Sequence, residues 1–175
     1  MRIRLFTASL ALMVAGACAE AADRALVITC AEAGALELSL PDSWTVEESR
    51  HDVRMPPTLT VSAPDGAAQW VVTAVWKAAD RKPPSTLDEI RTRVARTAQT
   101  VGAADAPLQP VPSGSPAGYF FDAGGSITPE PFSMLRQGML KVGELTVSFT
   151  AMGAAGRSAD QDALVERLAR ATHRR

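Results

Sequence analysis

The chain has 175 residues, 46% of them hydrophobic and 5% aromatic, with 18 Lys and Arg against 19 Asp and Glu for a net charge of −1. That near-balance excludes the basic footprint of a nucleic-acid-binding protein and the polybasic patch that holds a protein to anionic lipid. The two histidines, His51 and His173, lie far apart and outside any spaced cluster of metal-ligating residues, so no metal site is expected.

Residues 1–21 read as a secretory signal peptide. Arg2 and Arg4 form a basic start, residues 5–15 are an apolar run too short to span a bilayer, and small residues follow from Ala15 to Ala22. The predicted location is the periplasm of a Gram-negative cell. Signal peptidase takes small side chains at −3 and −1, so Ala17-Cys18-Ala19 and Ala19-Glu20-Ala21 place cleavage after Ala19 or Ala21. The alternative is lipidation of Cys18 behind Ala15-Gly16-Ala17, which anchors the chain in the envelope, although lipoprotein signals usually carry Leu where Ala15 stands. That anchor is the only membrane attachment expected.

By either route Cys30 has no intrachain partner, and it reads as a small buried hydrophobe in phase with Leu26 and Ile28. Loss of Arg2 and Arg4 lowers the basic count from 18 to 16 against 19 acids, a charge near −3 if cleavage follows Ala19. What remains, residues 22–175, is one domain's worth of chain, enough to bury roughly 70% of its unfolded surface.

Residues 26–30 form a short apolar strand, and Ala31-Glu32-Ala33-Gly34 a turn. Residues 35–40 alternate Leu36, Leu38 and Leu40 against Glu37 and Ser39, a half-buried strand. Pro41-Asp42-Ser43 turns the chain into an extended piece that begins at Trp44. Residues 51–57 read as loop, because Pro56 and Pro57 hold their surroundings out of a helix or central strand. Residues 58–63 form a strand with Leu59 and Val61 on one face, and Pro64-Asp65-Gly66 a turn. Residues 69–76 are the strongest strand. Trp70, Val72, Ala74 and Trp76 face one way and Val71, Thr73 and Val75 the other, which predicts a central strand covered on both sides.

A helix follows. Thr86 and Glu89 stand at capping-box spacing, and Leu87, Ile90, Val94, Ala98 and Val101 fall on one stripe with Arg91, Arg93 and Arg96 mostly outside it. Gly102 closes the helix. Residues 107–118 are a loop with a brief extended stretch at 108–111. Residues 117–122 form a strand with Tyr119 and Phe121 on one face and Phe120 on the other. Residues 122–133 are loop-like. Residues 134–141 and 144–152 make a hairpin around Val142-Gly143, with Leu145, Val147, Phe149 and Ala151 alternating against Thr146, Ser148 and Thr150. A final helix starts at Ser158, with Gln161 as its capping partner, and buries Leu164, Val165 and Leu168. The terminal cluster of Arg170, His173, Arg174 and Arg175 complements the negative end of that helix. The order predicts an α+β domain: an antiparallel β-sheet flanked by two main α-helices, preceded by the signal-peptide helix.

Local sequence adds a resemblance. Leu38-Ser39-Leu40-Pro41-Asp42-Ser43-Trp44, Thr86-Leu87-Asp88-Glu89-Ile90, residues 143–149 and residues 162–168 together resemble the Mog1/PsbP-like superfamily, including the DUF1795 and DcrB-type bacterial proteins. The resemblance implies a sheet with helices against its faces and a binding rather than enzymatic role, as accessory subunit, regulator or chaperone. It transfers no single binding residue, and a fold hosts many functions.

Nothing in the sequence signals catalysis or a cofactor. There is no Gly-x-Ser-x-Gly elbow, phosphate-binding loop or dinucleotide fingerprint. His51 and Asp52 are adjacent on extended chain and point apart. Of the carboxylate pairs, Asp88-Glu89 is explained as helix-start charge, and neither it nor Glu47-Glu48 comes with a cleft. The aromatic residues read chiefly as core anchors. Trp44 and Trp76, at element ends, are expected to be partly exposed, and Ile127 and Phe132 make residues 124–132 the expected contact loop. These four are the candidate contacts for a partner or ligand. The leading expectation is a non-catalytic exported protein that binds another protein of the envelope, accessory or chaperone-like, through the sheet face or residues 124–132, with a sizeable apolar patch beside that loop. The alternative is a carrier of a small apolar ligand, in an enclosed cavity of roughly 300 Å³ or more framed by Trp70, Trp76 and Phe149.

Overall fold

A computed structural model of the chain describes residues 22–52, 54–78, 80–112 and 117–175. The expected signal peptide 1–21, its cleavage sites and Cys18 lie outside the described residues. In chain order the elements are β1 (Asp23–Thr29), β2 (Ala35–Pro41), β3 (Thr45–Ser49), β4 (Thr58–Ser62), β5 (Ala68–Val75), α1 (Leu87–Thr100), β6 (Gln109–Pro110), β7 (Gly118–Gly124), β8 (Met134–Val142), β9 (Leu145–Gly153), α2 (Ser158–Ala169) and β10 (Thr172–Arg174). The class is α+β, as the sequence predicts.

All strand pairing is antiparallel, but the strands form two sheets where the sequence suggests one. A three-stranded sheet runs β1-β2-β10 and a seven-stranded sheet β3-β4-β5-β9-β8-β7-β6. The chain passes from the first to the second at Pro41–Trp44, where the Trp44 N–H donates to the Pro41 carbonyl at 3.1 Å. Period-2 alternation makes this possible. Leu36, Leu38 and Leu40 on β2 meet Trp70, Val72 and Ala74 on β5 and Leu145, Val147, Phe149 and Ala151 on β9 in one core, closed at the side by Leu164, Val165 and Leu168 of α2. Each such leucine or valine contributes about 1.5–3 kcal/mol on burial.

A second, smaller core lies on the opposite face of the large sheet. There Ile90, Val94 and Ala98 of α1 pack on Phe121 and Leu135, with Tyr119, Met139 and Ile127 at its margin. Helix α1 thus covers β7 and β8. On β5, therefore, Val71, Thr73 and Val75 stay partly exposed, and the expected full cover on both faces is corrected to one. Leu87, placed on the buried stripe by its spacing, is 44% exposed because it is the first helical residue and lies beyond the edge of the second core.

Two further expectations fail at α2. Its N-cap is Arg157, with no side-chain cap; Ser158 is already helical, and the Gln161 amide donates to the Ala151 carbonyl on β9 at 3.3 Å. Arg157 instead pairs with Asp160 and Asp65, charges that occupy the helix start. The terminal basic cluster does not simply cap the helix. Residues 172–174 form β10 against β2, with Arg174 on Glu37 at 2.5 Å and Arg175 on Glu144.

Candidate functional site

The lead-in to α1 borders a broad concavity. Pro83 and Pro84 resist helix, and the Pro84 carbonyl accepts from Thr146 Oγ1 on β9 at 2.7 Å, which pins the lead-in to the sheet. The helix then starts on the capping box read from sequence. Thr86 Oγ1 accepts from the Glu89 N–H at 3.2 Å, and Glu89 Oε2 accepts from the N–H groups of Thr86 at 3.1 Å and Ser85 at 2.7 Å. These hydrogen bonds hold the Glu89 carboxyl below its ordinary range.

So anchored, one side of α1 stands away from the end of β5 and from the β8–β9 turn. The result is an open groove of about 1120 Å³, lined on the helix side by Ser85, Asp88, Glu89, Thr92, Arg93 and Arg96. Their spacing of three and four places them along one helical stripe. Trp76, Lys77, Lys82, Pro83 and Pro84 line it from the end of β5 and the lead-in; Lys141, Gly143 and Glu144 from the β8–β9 turn; and Glu32 and Ala33 from the turn after β1.

The last two segments are joined by the C-terminal strand. His173 Nε2 lies 2.6 Å from the Ala33 carbonyl and its Nδ1 accepts from the Glu144 N–H at 3.4 Å, so the proton is assigned to Nε2. Gly143, at φ +59°, lies so close to the His173 ring that a Cβ there would meet Nδ1 at 2.6 Å.

The groove carries five basic and four acidic side chains, unequally free. Glu89 is committed to the cap and Glu144 to Arg175. Lys141 donates to the Glu144 carbonyl at 3.1 Å, and burial lowers its pKa. Among the described residues, Lys77, Lys82, Arg93 and Arg96 have no carboxylate within ion-pair distance, and neither Glu32 nor Asp88 has a cation. Beside them Trp76 is 2% exposed, with the Arg81 guanidinium 4.7 Å from its ring centroid. Arg81 Nη2 donates to the Arg54 carbonyl at 3.1 Å. Its Nε and Nη1, together with Trp76 Nε1, are buried without a hydrogen-bond partner among the described residues.

The four expected contact residues fall in three places. Trp44 is buried, its ring 4.3 Å from that of Trp70, because the chain crosses between sheets there and carries the indole into their shared core. Trp76 continues the inward alternation of β5 and is equally buried, so the partial exposure expected of both is corrected; Trp76 alone of the four lines the groove. Ile127 turns inward on a 3-10 turn (Gly125–Ile127) and packs on the α1 core, and Phe132 stays partly exposed. The large exposed hydrophobic side chains are Val27, Met55 and Leu87, none in loop 124–132, so the apolar patch expected beside it is absent among the described residues.

Trp70 and Phe149, expected to frame a cavity, are closed into the core. Cys30 is buried, and burial pushes its thiol pKa up. Asp52 accepts from the Arg54 N–H at 2.9 Å and so serves its own turn. The groove itself was not signalled. Its only sequence trace is the row of arginines outside the apolar stripe of α1.

A smaller concavity of about 320 Å³ lies beside α2, lined by Phe120, Arg136, Asp162 and neighbours. Arg136 there forks onto both oxygens of Asp122 at 2.6 and 3.0 Å, reaches Asp162 at 2.5 Å and lies over the Phe120 ring. Every charge is engaged, so this cluster ties β7, β8 and α2 together. Among the described residues no group of three or more His, Cys, Asp or Glu could hold a metal ion, and no helix is long and apolar enough to cross a membrane.

No protein-family model matches the chain, and no curated protein matches it in sequence. Solved structures do share its architecture. Cyanobacterial PsbP (CyanoP) from Synechocystis sp. PCC 6803, a solution structure, superposes with a TM-score of 0.58 at 13% identity, over 91% of this chain and 96% of that one. A crystal structure from Bacteroides thetaiotaomicron VPI-5482 superposes with a TM-score of 0.52 at 13% identity, over 80% of this chain. This chain spans 45% of that protein's length. The chain is therefore similar in fold to PsbP, as its resemblance to the Mog1/PsbP-like superfamily implies.

Proposed function

We propose that this chain is a non-catalytic, exported protein that binds another protein of the envelope, in an accessory or chaperone-like role, and that the groove beside α1 receives the partner. The observation that carries the reading is the groove itself: about 1120 Å³, partly open to solvent, with unpaired cations beside a nearly buried indole. A stretch of polypeptide suits a partly open trough whose walls carry both charged and apolar groups. A small apolar ligand is held in an enclosed, mostly apolar site, and the rings expected to frame one, Trp70 and Phe149, are packed against their neighbours. Two of the groove's four carboxylates, Glu89 and Glu144, already serve the fold. The leader-like start supports export, with release into the periplasm or retention through a lipid on Cys18. The resemblance to DUF1795 and DcrB-type proteins supports the same setting.

The test is native purification of the full chain, expressed with its own leader, from the envelope. Wild type is compared with Thr92→Trp, which fills the groove at an exposed helix position. Wild type is expected to bring down one protein in stoichiometric amount, and T92W to lose it. Retention of that protein by T92W overturns the groove as the site, and its absence from both overturns the protein-binding reading.

A further inference from the structure

We infer that the partner segment taken by the groove is acidic, a stretch of polypeptide rich in Asp and Glu. The inference rests on the protein-binding reading above and names the chemistry of that same site.

The charge of the groove carries it. With Glu144 paired to Arg175, the groove's remaining charges are Lys77, Lys82, Arg93, Arg96 and Lys141 against Glu32, Asp88 and Glu89. This excess attracts carboxylates, and one guanidinium pairs two carboxylate oxygens at once. Arg93 and Arg96 are three apart on α1 and so lie on one side of it.

A basic or neutral segment leaves the cations repelled or unpaired.

The test is binding of three fluorescein-labelled peptides to the full exported chain, followed by anisotropy: deca-glutamate, deca-lysine and a Gly-Ser decamer. Deca-glutamate is expected to bind alone, to weaken at least tenfold when low salt is replaced by roughly 0.15 M salt, where the Debye length is about 8 Å, and to weaken at least tenfold in R93E/R96E. Equal binding of deca-lysine or the neutral decamer, or deca-glutamate binding unchanged in R93E/R96E, overturns the inference. So does capture by phosphatidylglycerol vesicles in place of deca-glutamate. If deca-glutamate fails while T92W still loses its co-purifying protein, the acidic chemistry falls and the groove stands. If T92W keeps that protein, the groove reading itself falls.

Discussion

His173 Nε2 lies 2.6 Å from the carbonyl oxygen of Ala33, a contact spanning 140 residues of sequence. Through it the last strand locks the turn after β1, and through its Nδ1 the β8–β9 turn at Glu144. Both turns line the groove. His173→Ala removes both hydrogen bonds and is expected to lower stability by about 1–2 kcal/mol. Gly143→Ala combines a positive φ with a Cβ driven into the ring and is expected to cost at least as much, about 1–3 kcal/mol. Urea midpoints at neutral pH check both, and an unchanged midpoint in H173A contradicts the locking role.

The start of α1 carries a pH signature. Glu89 is stabilised as a carboxylate by the N–H groups of Ser85 and Thr86 and by the Ser85 hydroxyl. Its folded pKa lies below the unfolded value of about 4.3, so its contribution is complete above that value and is lost as pH falls through the folded one. The melting-temperature gap between wild type and Glu89→Gln should be constant at neutral pH and close in acid. Thr86→Ala should cost about 1 kcal/mol across the same range. A gap for E89Q that widens in acid contradicts this account.

Arg136 joins three elements, with its side chain 12% exposed. Among the described residues, Arg136→Met leaves Asp122 with only the Gln109 amide at 3.1 Å as a side-chain partner. The expected loss is about 2 kcal/mol, between the values for exposed and buried pairs. Arg136→Lys should recover little of it, because an ammonium lacks the fork that meets both oxygens of Asp122. Denaturant unfolding of the two variants decides the point.

Cys30 is fully buried, and burial raises its thiol pKa. The folded protein should therefore leave this thiol unmodified by Ellman's reagent at pH values where a free thiol, of pKa about 8.5, reacts readily. Denaturant should release it. Rapid reaction of Cys30 in the native state contradicts its place in the core.

Much of the fold was legible because alternation is local. Leu36, Leu38 and Leu40, or Leu145 to Ala151, announce both a strand and its buried face, and Thr86 with Glu89 announces a helix start. The division into two sheets was not legible, since it turns on where Trp44 packs. Nor was β10: three residues carry no periodicity, and its pairing with β2 is long-range. Ser158 with Gln161 shows the spacing rule misfiring where Arg157 and its carboxylates occupy the helix start. The groove was hidden for a related reason. It brings residues 32–33 and 141–144 beside residues 76–96, and no single segment holds enough of it to be seen.

The central claim, that the partner lands beside α1, is tested most directly by site-specific photo-cross-linking in intact cells. A benzophenone side chain is placed at Lys82, on the groove, or at Ser126, in loop 124–132. The account predicts one discrete protein adduct from position 82 and none from position 126. An adduct from position 126 with none from position 82 would contradict it.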